Sequence, residues 1–292
     1  MLRSLTTSWP EGLEYEVILV DDASTDGTRA WLATLDSPRV KVICNASNRG
    51  FAMTCNVGAK AARGSLLCLL NNDLVLQPGW LEPMLRVLQS PELRVGIVGN
   101  VQRRVDDGAL DHVGVHLTAE GQLAHVREFS DNRSDGRAIC SLRSFAVTGA
   151  CVLLRSADFW ECGGFDERYR NGAEDIDLCL KMRARGQRAY VALSSCVGHH
   201  VSLSRGPASL NDERNSRLLF HHWRAEFKRE LADVWRALLE HNGPYPEPPT
   251  SLVDRDLLET PHLASMRIAE ALLVRQELRW AALLGPLEAE HD

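Results

Sequence analysis

The chain has no apolar run approaching the ~20 residues a membrane-spanning helix requires, and its first residues lack the apolar core of a secretory leader. The expectation is a soluble cytoplasmic protein; peripheral attachment at the inner face of a membrane is compatible with this pattern. Positive charge is also scarce. Lys and Arg number 33 against 39 Asp and Glu, a formal net charge of -6. A general nucleic-acid binder needs the opposite balance to neutralise phosphates, so no nucleic-acid partner is expected. The 8 cysteines have no paired spacing, and several sit inside apolar runs such as Val42-Ile43-Cys44 and Leu67-Cys68-Leu69. They read as reduced core residues, which excludes a zinc site or a disulfide frame. Internal repeats and low-complexity tracts are absent as well.

What is present is enough apolar residue, 45% of 292, to bury a full core in one large domain with an appendage. Short β-rich runs alternate with helical patterns. Residues 2–10 read as the tail of a helix, and the strand 16–20 runs into Asp21-Asp22-Ala23-Ser24-Thr25-Asp26-Gly27-Thr28. That loop holds more capping residues than one helix N-terminus needs. A strand over 40–44 leads through Asn48-Arg49-Gly50-Phe51 to a small-residue helix ending near Ala62. The run Leu66-Leu67-Cys68-Leu69-Leu70 then stops at Asn71-Asn72-Asp73, as a strand buried on both faces would stop at the ligand-binding edge of a sheet. Alternation of this kind predicts βαβ units and a parallel sheet.

A helix over 80–89 and a strand over 95–98 follow, and residues 100–140 read as irregular strands and loops covering the sheet. The pattern resumes as a buried strand over 145–154 interrupted at Gly149-Ala150, where small residues let a ligand approach the backbone. Helices over 157–162 and 174–185 and a strand over 189–191 lead to Cys196-Val197-Gly198-His199-His200. Beyond Arg205 the pattern is helical to about His241. A proline-rich break at 242–250 reads as a linker, and two short amphipathic helices end the chain.

Three acidic sites fall at strand ends or at a helix start: Asp21 with Asp22, Asp73, and Glu174-Asp175 with Asp177. Each alone has an ordinary explanation, as turn formers or as carboxylates favoured by a helix dipole. Together they suggest a nucleotide-facing acid, a metal-facing acid and a general base.

The sequence resembles the inverting family 2 glycosyltransferases, including bacterial rhamnosyltransferase-like and O-antigen-type members. The resemblance lies in residues 16–28, Asn48-Arg49-Gly50-Phe51, Leu70-Asn71-Asn72-Asp73 with Trp80, Gly149-Ala150, Gly164-Phe165-Asp166-Glu167, Gly172 to Leu178, and His199-His200-Val201-Ser202. It implies a GT-A fold: an α/β, Rossmann-like, mostly parallel sheet flanked by helices over residues 1–205, with a helical C-terminal extension over 206–292. It also implies transfer of a sugar, a hexose or deoxyhexose, from a UDP-, dTDP- or GDP-sugar to a glycan, lipid-linked or protein acceptor, as in cell-wall or polysaccharide synthesis. Residue by residue, Asp21 or Asp22 would accept from the base, with Ser24, Asp26, Asn48 and Gly50 near base and ribose. Asn71 and Asn72 would contact the sugar nucleotide, and Thr148 and Gly149 would line the sugar pocket. Arg205 would neutralise diphosphate charge. Asp73 would hold Mn2+ or Mg2+ with His199, or with His200 in the alternative register. Asp175 would be the general base, with Glu174 as second choice.

One departure from the family concerns the sheet. Relatives begin with a central strand ahead of the helix that residues 2–10 resemble, and here Met1 falls inside that helix, so the first strand is expected to be missing. Its neighbours would then carry unpaired backbone groups. Either the natural chain is longer than this one, or another segment fills the slot, or the rival expectation holds: a catalytically impaired homologue acting as a binding or scaffolding protein, with the C-terminal helices as a homodimer or partner contact. A nucleotidyltransferase would want a Gly-rich basic loop after the first strand, which this chain lacks.

Overall fold

The structure is a computed structural model that describes residues 1–128, 140–200, 209–240 and 260–286. The proline-rich break at 242–250 lies outside the described residues. The chain divides into one unit within Met1–Val115 and His125–Arg205 and a second within His116–Ala124 and Gly206–Asp292.

In the first unit, helix α1 (Leu2–Ser8) precedes strand β1 (Val17–Asp21), helix α2 (Thr28–Leu32), strand β2 (Val40–Cys44), helix α3 (Phe51–Ala61) and strand β3 (Leu66–Leu70). Then come β4 (Leu74–Leu76), α4 (Leu81–Leu88), β5 (Val95–Arg104), β6 (Leu110–His112), β9 (Ser141–Ser144), β10 (Cys151–Arg155), α5 (Ser156–Glu161), α6 (Glu174–Ala184) and β11 (Arg188–His199). Strands β7 (Val115–Leu117) and β8 (Leu123–His125) form a small two-stranded sheet.

The main sheet has seven strands in the order β3-β10-β5-β11-β4, with β6 on β5 and β9 on β11. Only β5 and β11 pair in parallel within it; the β3–β10, β10–β5 and β11–β4 ladders are antiparallel. The expected mostly parallel sheet is thus corrected to a mixed one. The strand expected over 145–154 is also shorter. Residues 145–150 are a largely buried connection, and the ladder begins at Cys151, where the register with β3 sets in.

Strands β1 and β2 pair in parallel but form a sheet of their own. The bonds that β1 makes to β2, such as Val17 N–H to Arg39 O at 2.8 Å, leave the alternate groups of Ile18 and Val20 facing the other way. On β3, Ser65 O accepts from Ser156 N–H and Asn71 N–H donates to Ala150 O, which turns Leu66, Cys68 and Leu70 away from β10. Among the described residues no strand pairs with either free edge. Leu66 is exposed and Cys68, Leu69 and Leu70 are only half-buried, so the expected burial on both faces is not reached.

The core of this unit gathers Leu5, Leu74, Leu76, Trp80, Leu81, Met84, Val95, Val98 and Leu153. The amphipathic helix α4 covers one sheet face. Gly96, between Val95 and Ile97, faces the other way. A Cβ there would lie 2.9 Å from the Met182 sulfur of α6, so the second face is closed by close helix–strand packing.

In the second unit, α7 (Leu210–His222), α8 (Arg224–Glu240) and α9 (Pro261–Leu284) pack on one another. Ser209 and Asp212 form a capping box that starts α7. Phe220 stacks on Phe227 with ring centroids 3.9 Å apart, and the Trp235 indole donates to Ala119 O at 2.8 Å. Among the described residues of the expected terminal helices, Pro261–Leu284 is one helix of 24 residues, because no Gly or Pro interrupts it after its first position.

Candidate active site

The loop after β1 is built by its own carboxylates. Asp21 is 4% exposed; Arg29 Nε donates to its Oδ2 at 2.8 Å, and Ser24 N–H lies 3.3 Å from both of its oxygens. The Ser24 and Arg29 donors hold its pKa below the usual carboxylate range. Asp22 reaches across to the loop after β2. Its carboxylate accepts from Asn45 Nδ2 at 2.8 Å, Arg49 N–H at 3.0 Å and Gly50 N–H at 2.9 Å. Burial pushes its pKa up, yet these donors outweigh burial and the net shift is downward. Asn48 Nδ2 donates to Asp22 O at 3.3 Å, and Asp26 accepts from Thr28 N–H at 2.9 Å. Asp21, Asp22, Asp26, Asn48 and Gly50 therefore belong to one structured pair of loops at the carboxyl ends of β1 and β2. In this arrangement both Asp21 and Asp22 hold protein donors.

The second group lies where β4, β11, β5 and β6 meet. His199 pairs with Leu74 in the β11–β4 ladder and with Arg104 in the β11–β5 ladder. This sets its Nε2 3.4 Å from Asp73 Oδ1, and His200 N–H donates to Asp73 O at 3.0 Å. The other ring nitrogen, Nδ1, is 3.6 Å from Asp111 Oδ2. The Asp73 carboxylate raises the His199 pKa against the effect of burial, with Asp111 adding to it. Burial pushes Asp73 up, but the partnership with His199 prevails and lowers it. Asp73 Oδ1 and His199 Nδ1 are both buried with no hydrogen bond among the described residues.

The approach of His199 Nε2 to the otherwise unbonded Asp73 Oδ1 tests the metal expectation. A spacing of 3.4 Å is long for a charge-assisted hydrogen bond. It suits an oxygen and a nitrogen that each reach about 2.1 Å to a shared cation, which sets them roughly 3.0–3.4 Å apart. Among the described residues no three His, Cys, Asp or Glu side chains converge into a complete cage. Two protein ligands fit a cation that takes its remaining oxygens from phosphate and water, the usual arrangement for Mg2+.

The third group is the start of α6. Asn171 and Ala173 take positive φ of 57° and 75°, so the chain turns sharply just before Glu174 and Asp175. Asn171 Oδ1 accepts from Phe51 N–H at 2.9 Å, tying this turn to the start of α3, and Glu174 Oε2 accepts from Gly172 N–H at 2.7 Å. Asp175 Oδ2 accepts from Gly149 N–H at 2.7 Å and Oδ1 from Ile176 N–H at 2.8 Å. A Cβ on Gly149 would lie 3.3 Å from Asp175 Cβ, so glycine permits this approach. The neighbouring Thr148 N–H points at His112 Nε2, 3.4 Å away. Burial, with His125 and His199 nearby, pushes the His112 pKa down to about 3, and the ring stays neutral.

Thr148 and Gly149 thus join the Asp175 turn to His112, the residue after Asp111. Asn71 contributes its N–H to the ladder and Asn72 is exposed at the same sheet edge. Arg205 lies outside the described residues. The sequence reading missed Asp111 and His112, both buried, and Asn171. The adjacent acid and imidazole of Asp111-His112 were the available signal.

Residues 1–163 match the family profile described as Glycosyl transferase family 2. The chain is 33% identical over 214 residues, 70% of its length, to the O-antigen biosynthesis protein RfbC of Myxococcus xanthus, of which it spans 16%. It is 28% identical over 229 residues to the N-acetylglucosaminyl-diphospho-decaprenol L-rhamnosyltransferase of Mycobacterium tuberculosis, covering 70% of this chain and 72% of that one. Two further curated relatives are spanned over 24% and 56% of their lengths. Among solved structures, GalNAc-T7 with UDP, GalNAc and Mn2+ superposes with a TM-score of 0.65 at 17% identity, over 98% of this chain and 55% of that one. This likeness identifies the GT-A fold.

Proposed function

Because the chain belongs to glycosyl transferase family 2, we propose that it transfers a sugar from a nucleotide-diphosphate donor to an acceptor hydroxyl with inversion. The observation that supports this reading is the backbone hold on Asp175, whose carboxylate accepts from Gly149 N–H, together with the close approach of His199 to Asp73.

Asp175 is the base in this reading. Two backbone N–H groups fix its carboxylate while leaving lone pairs for the acceptor hydroxyl proton, and its removal in line with attack on the anomeric carbon gives inversion. Glu174, 5% exposed and bonded to Gly172 N–H, holds the turn. The loops built by Asp21 and Asp22 would receive the base and ribose, and Thr148 and Gly149 the donor sugar. Asp73 and His199 would hold Mn2+ or Mg2+, which supplies positive charge to the departing diphosphate. A UDP-, dTDP- or GDP-linked hexose or deoxyhexose fits as donor. A lipid-linked glycan is the favoured acceptor, because the relative named for rhamnosyl transfer acts on a decaprenol-linked sugar.

Transfer assays with radiolabelled donors and Mn2+ test this. Asp175→Asn should lower turnover by at least about 100-fold, the scale of general-base catalysis, while donor affinity by calorimetry stays within about twofold. Retained turnover would remove Asp175 from the base role.

A second reading, a family member that binds without transferring, is favoured by the protein donors already held by Asp21 and Asp22. Absence of calorimetric heat with UDP-, dTDP- and GDP-sugars in Mn2+ would select it.

A further inference from the structure

An imidazole that ligates a cation through Nε2 must be neutral and must carry its proton on Nδ1, and a buried Nδ1–H requires an acceptor. Metal-bound histidines ordinarily give that proton to a carboxylate or a carbonyl, which fixes tautomer and ring orientation. His199 Nδ1 is buried with no hydrogen bond among the described residues, and the carboxylate facing it is Asp111, with Oδ2 at 3.6 Å. That distance is just beyond hydrogen-bond reach, and a small ring rotation closes it to a hydrogen bond.

The strand pairing shows why Asp111 points there. Strand β6 pairs with β5 through His112↔Gln102 and Leu110↔Arg103, so Asp111 is the extra residue of a β-bulge. A bulge turns one side chain out of the alternating pattern, and such bulges concentrate beside active sites. Asp111 is 5% exposed, a costly place for a carboxylate without partners. Its partners are His199 on one side and Arg127 Nη2 at 3.7 Å on the other. His112, the next residue, bonds toward Thr148 and so faces the same corner.

We propose that Asp111 is the positioning residue that holds His199 as a neutral Nε2 ligand; the proposal rests on the reading of Asp73 and His199 as a cation site. The arrangement runs Asp111 Oδ2, Nδ1–H of His199, Nε2, and then the cation shared with Asp73. Asp111 touches neither cation nor donor and acts through the ring.

Mn2+ alone, titrated into the full chain and followed by water-proton relaxation, tests this without turnover. His199→Ala should abolish site-specific Mn2+ binding. Asp111→Ala should weaken it about 10- to 100-fold, the usual effect of removing such a partner. Asp111→Asn, whose amide oxygen still accepts the Nδ1 proton but carries no charge, should fall between wild type and Asp111→Ala. Thermal melting of each variant in a chelator reports folding separately, and the near-isosteric Asn variant carries the test should the Ala variant fail to fold. Wild-type Mn2+ affinity in Asp111→Asn and Asp111→Ala, with binding lost in His199→Ala, would overturn the role of Asp111 and leave the cation site standing. Unchanged Mn2+ binding in His199→Ala, or none in wild type, would overturn the cation site and the proposal with it.

Discussion

Gly50 shows how much of the site depends on single backbone positions. It holds φ 85° and ψ 171°, a region essentially restricted to glycine, while donating its N–H to Asp22. Space is not the constraint, since an added Cβ would meet only Asn171 Oδ1 at an ordinary 3.5 Å. Gly50→Ala should therefore destabilise the chain by about 1–3 kcal/mol through backbone strain alone. Urea melts would read this, and a loss under 0.5 kcal/mol, about the size of an ordinary surface substitution, would mean that the loop relaxes. Asp73, His199 and Asp175 were legible in the sequence because each ends a strand or begins a helix with a recognisable pattern. Asp111 was not, because a bulge breaks the period of two by which strand residues are read. Asn171 was equally hidden, since a side-chain bond to Phe51 N–H, 120 residues away, leaves no local trace.

Among the elements, the positions of helices and strands could be read, but their partners could not. Apolar runs such as Leu66–Leu70 and Cys151–Leu154 identify strands. Neither says that β3 and β10 lie antiparallel, because pairing direction is fixed by connections and by helices packed far along the chain. The free edges of β1 and β3 give a direct prediction at this scale. Amide hydrogens of Ile18, Val20, Leu66, Cys68 and Leu70 face away from the bonded neighbour, whereas those of Leu19, Leu67 and Leu69 point into a ladder. Residue-resolved hydrogen exchange should show the first set exchanging at least about tenfold faster, in line with the low opening energies of unpaired edges. Equal protection in both sets would mean that another segment pairs with these edges. Such a strand would also cover the half-buried faces of Cys68, Leu69 and Leu70, and the fluorescence of Trp9, which packs against the same core as Val17 and Cys68, would respond to it.

At the scale of the whole molecule, the two units answer to different forces, and acid separates them. The first unit is held by a mixed sheet with helices on both faces, and its buried Asp21 and Glu174 are bonded to nearby donors of their own loops. The helical unit adds a charge network across α8 and α9. Arg224 Nη2 donates to Glu270 at 2.6 Å and its Nε to Glu277 at 2.7 Å, while Lys228 Nζ reaches Glu270 at 2.7 Å. Arg224 and Lys228 together depress the Glu270 pKa from 4.5 to about 2. A carboxylate whose pKa is lower folded than unfolded binds more protons when unfolded, so it stabilises the fold above about pH 4.5. That contribution fades as pH falls from 4.5 toward 2. Solvent reaches the Glu270 side chain, 38% exposed, so screening reduces the effect, and added salt should reduce it further. Trp235 and Trp280, both almost fully buried in the helical unit, are the local reporters. Their emission should shift to the red on acidification in this window in wild type. Glu270→Gln, which cannot lose a charge, should be less stable than wild type at pH 7, with the difference closing as pH approaches 2. A constant difference between the two proteins across the whole range would show that the Arg224–Glu270 pair adds nothing to the stability of the helical unit.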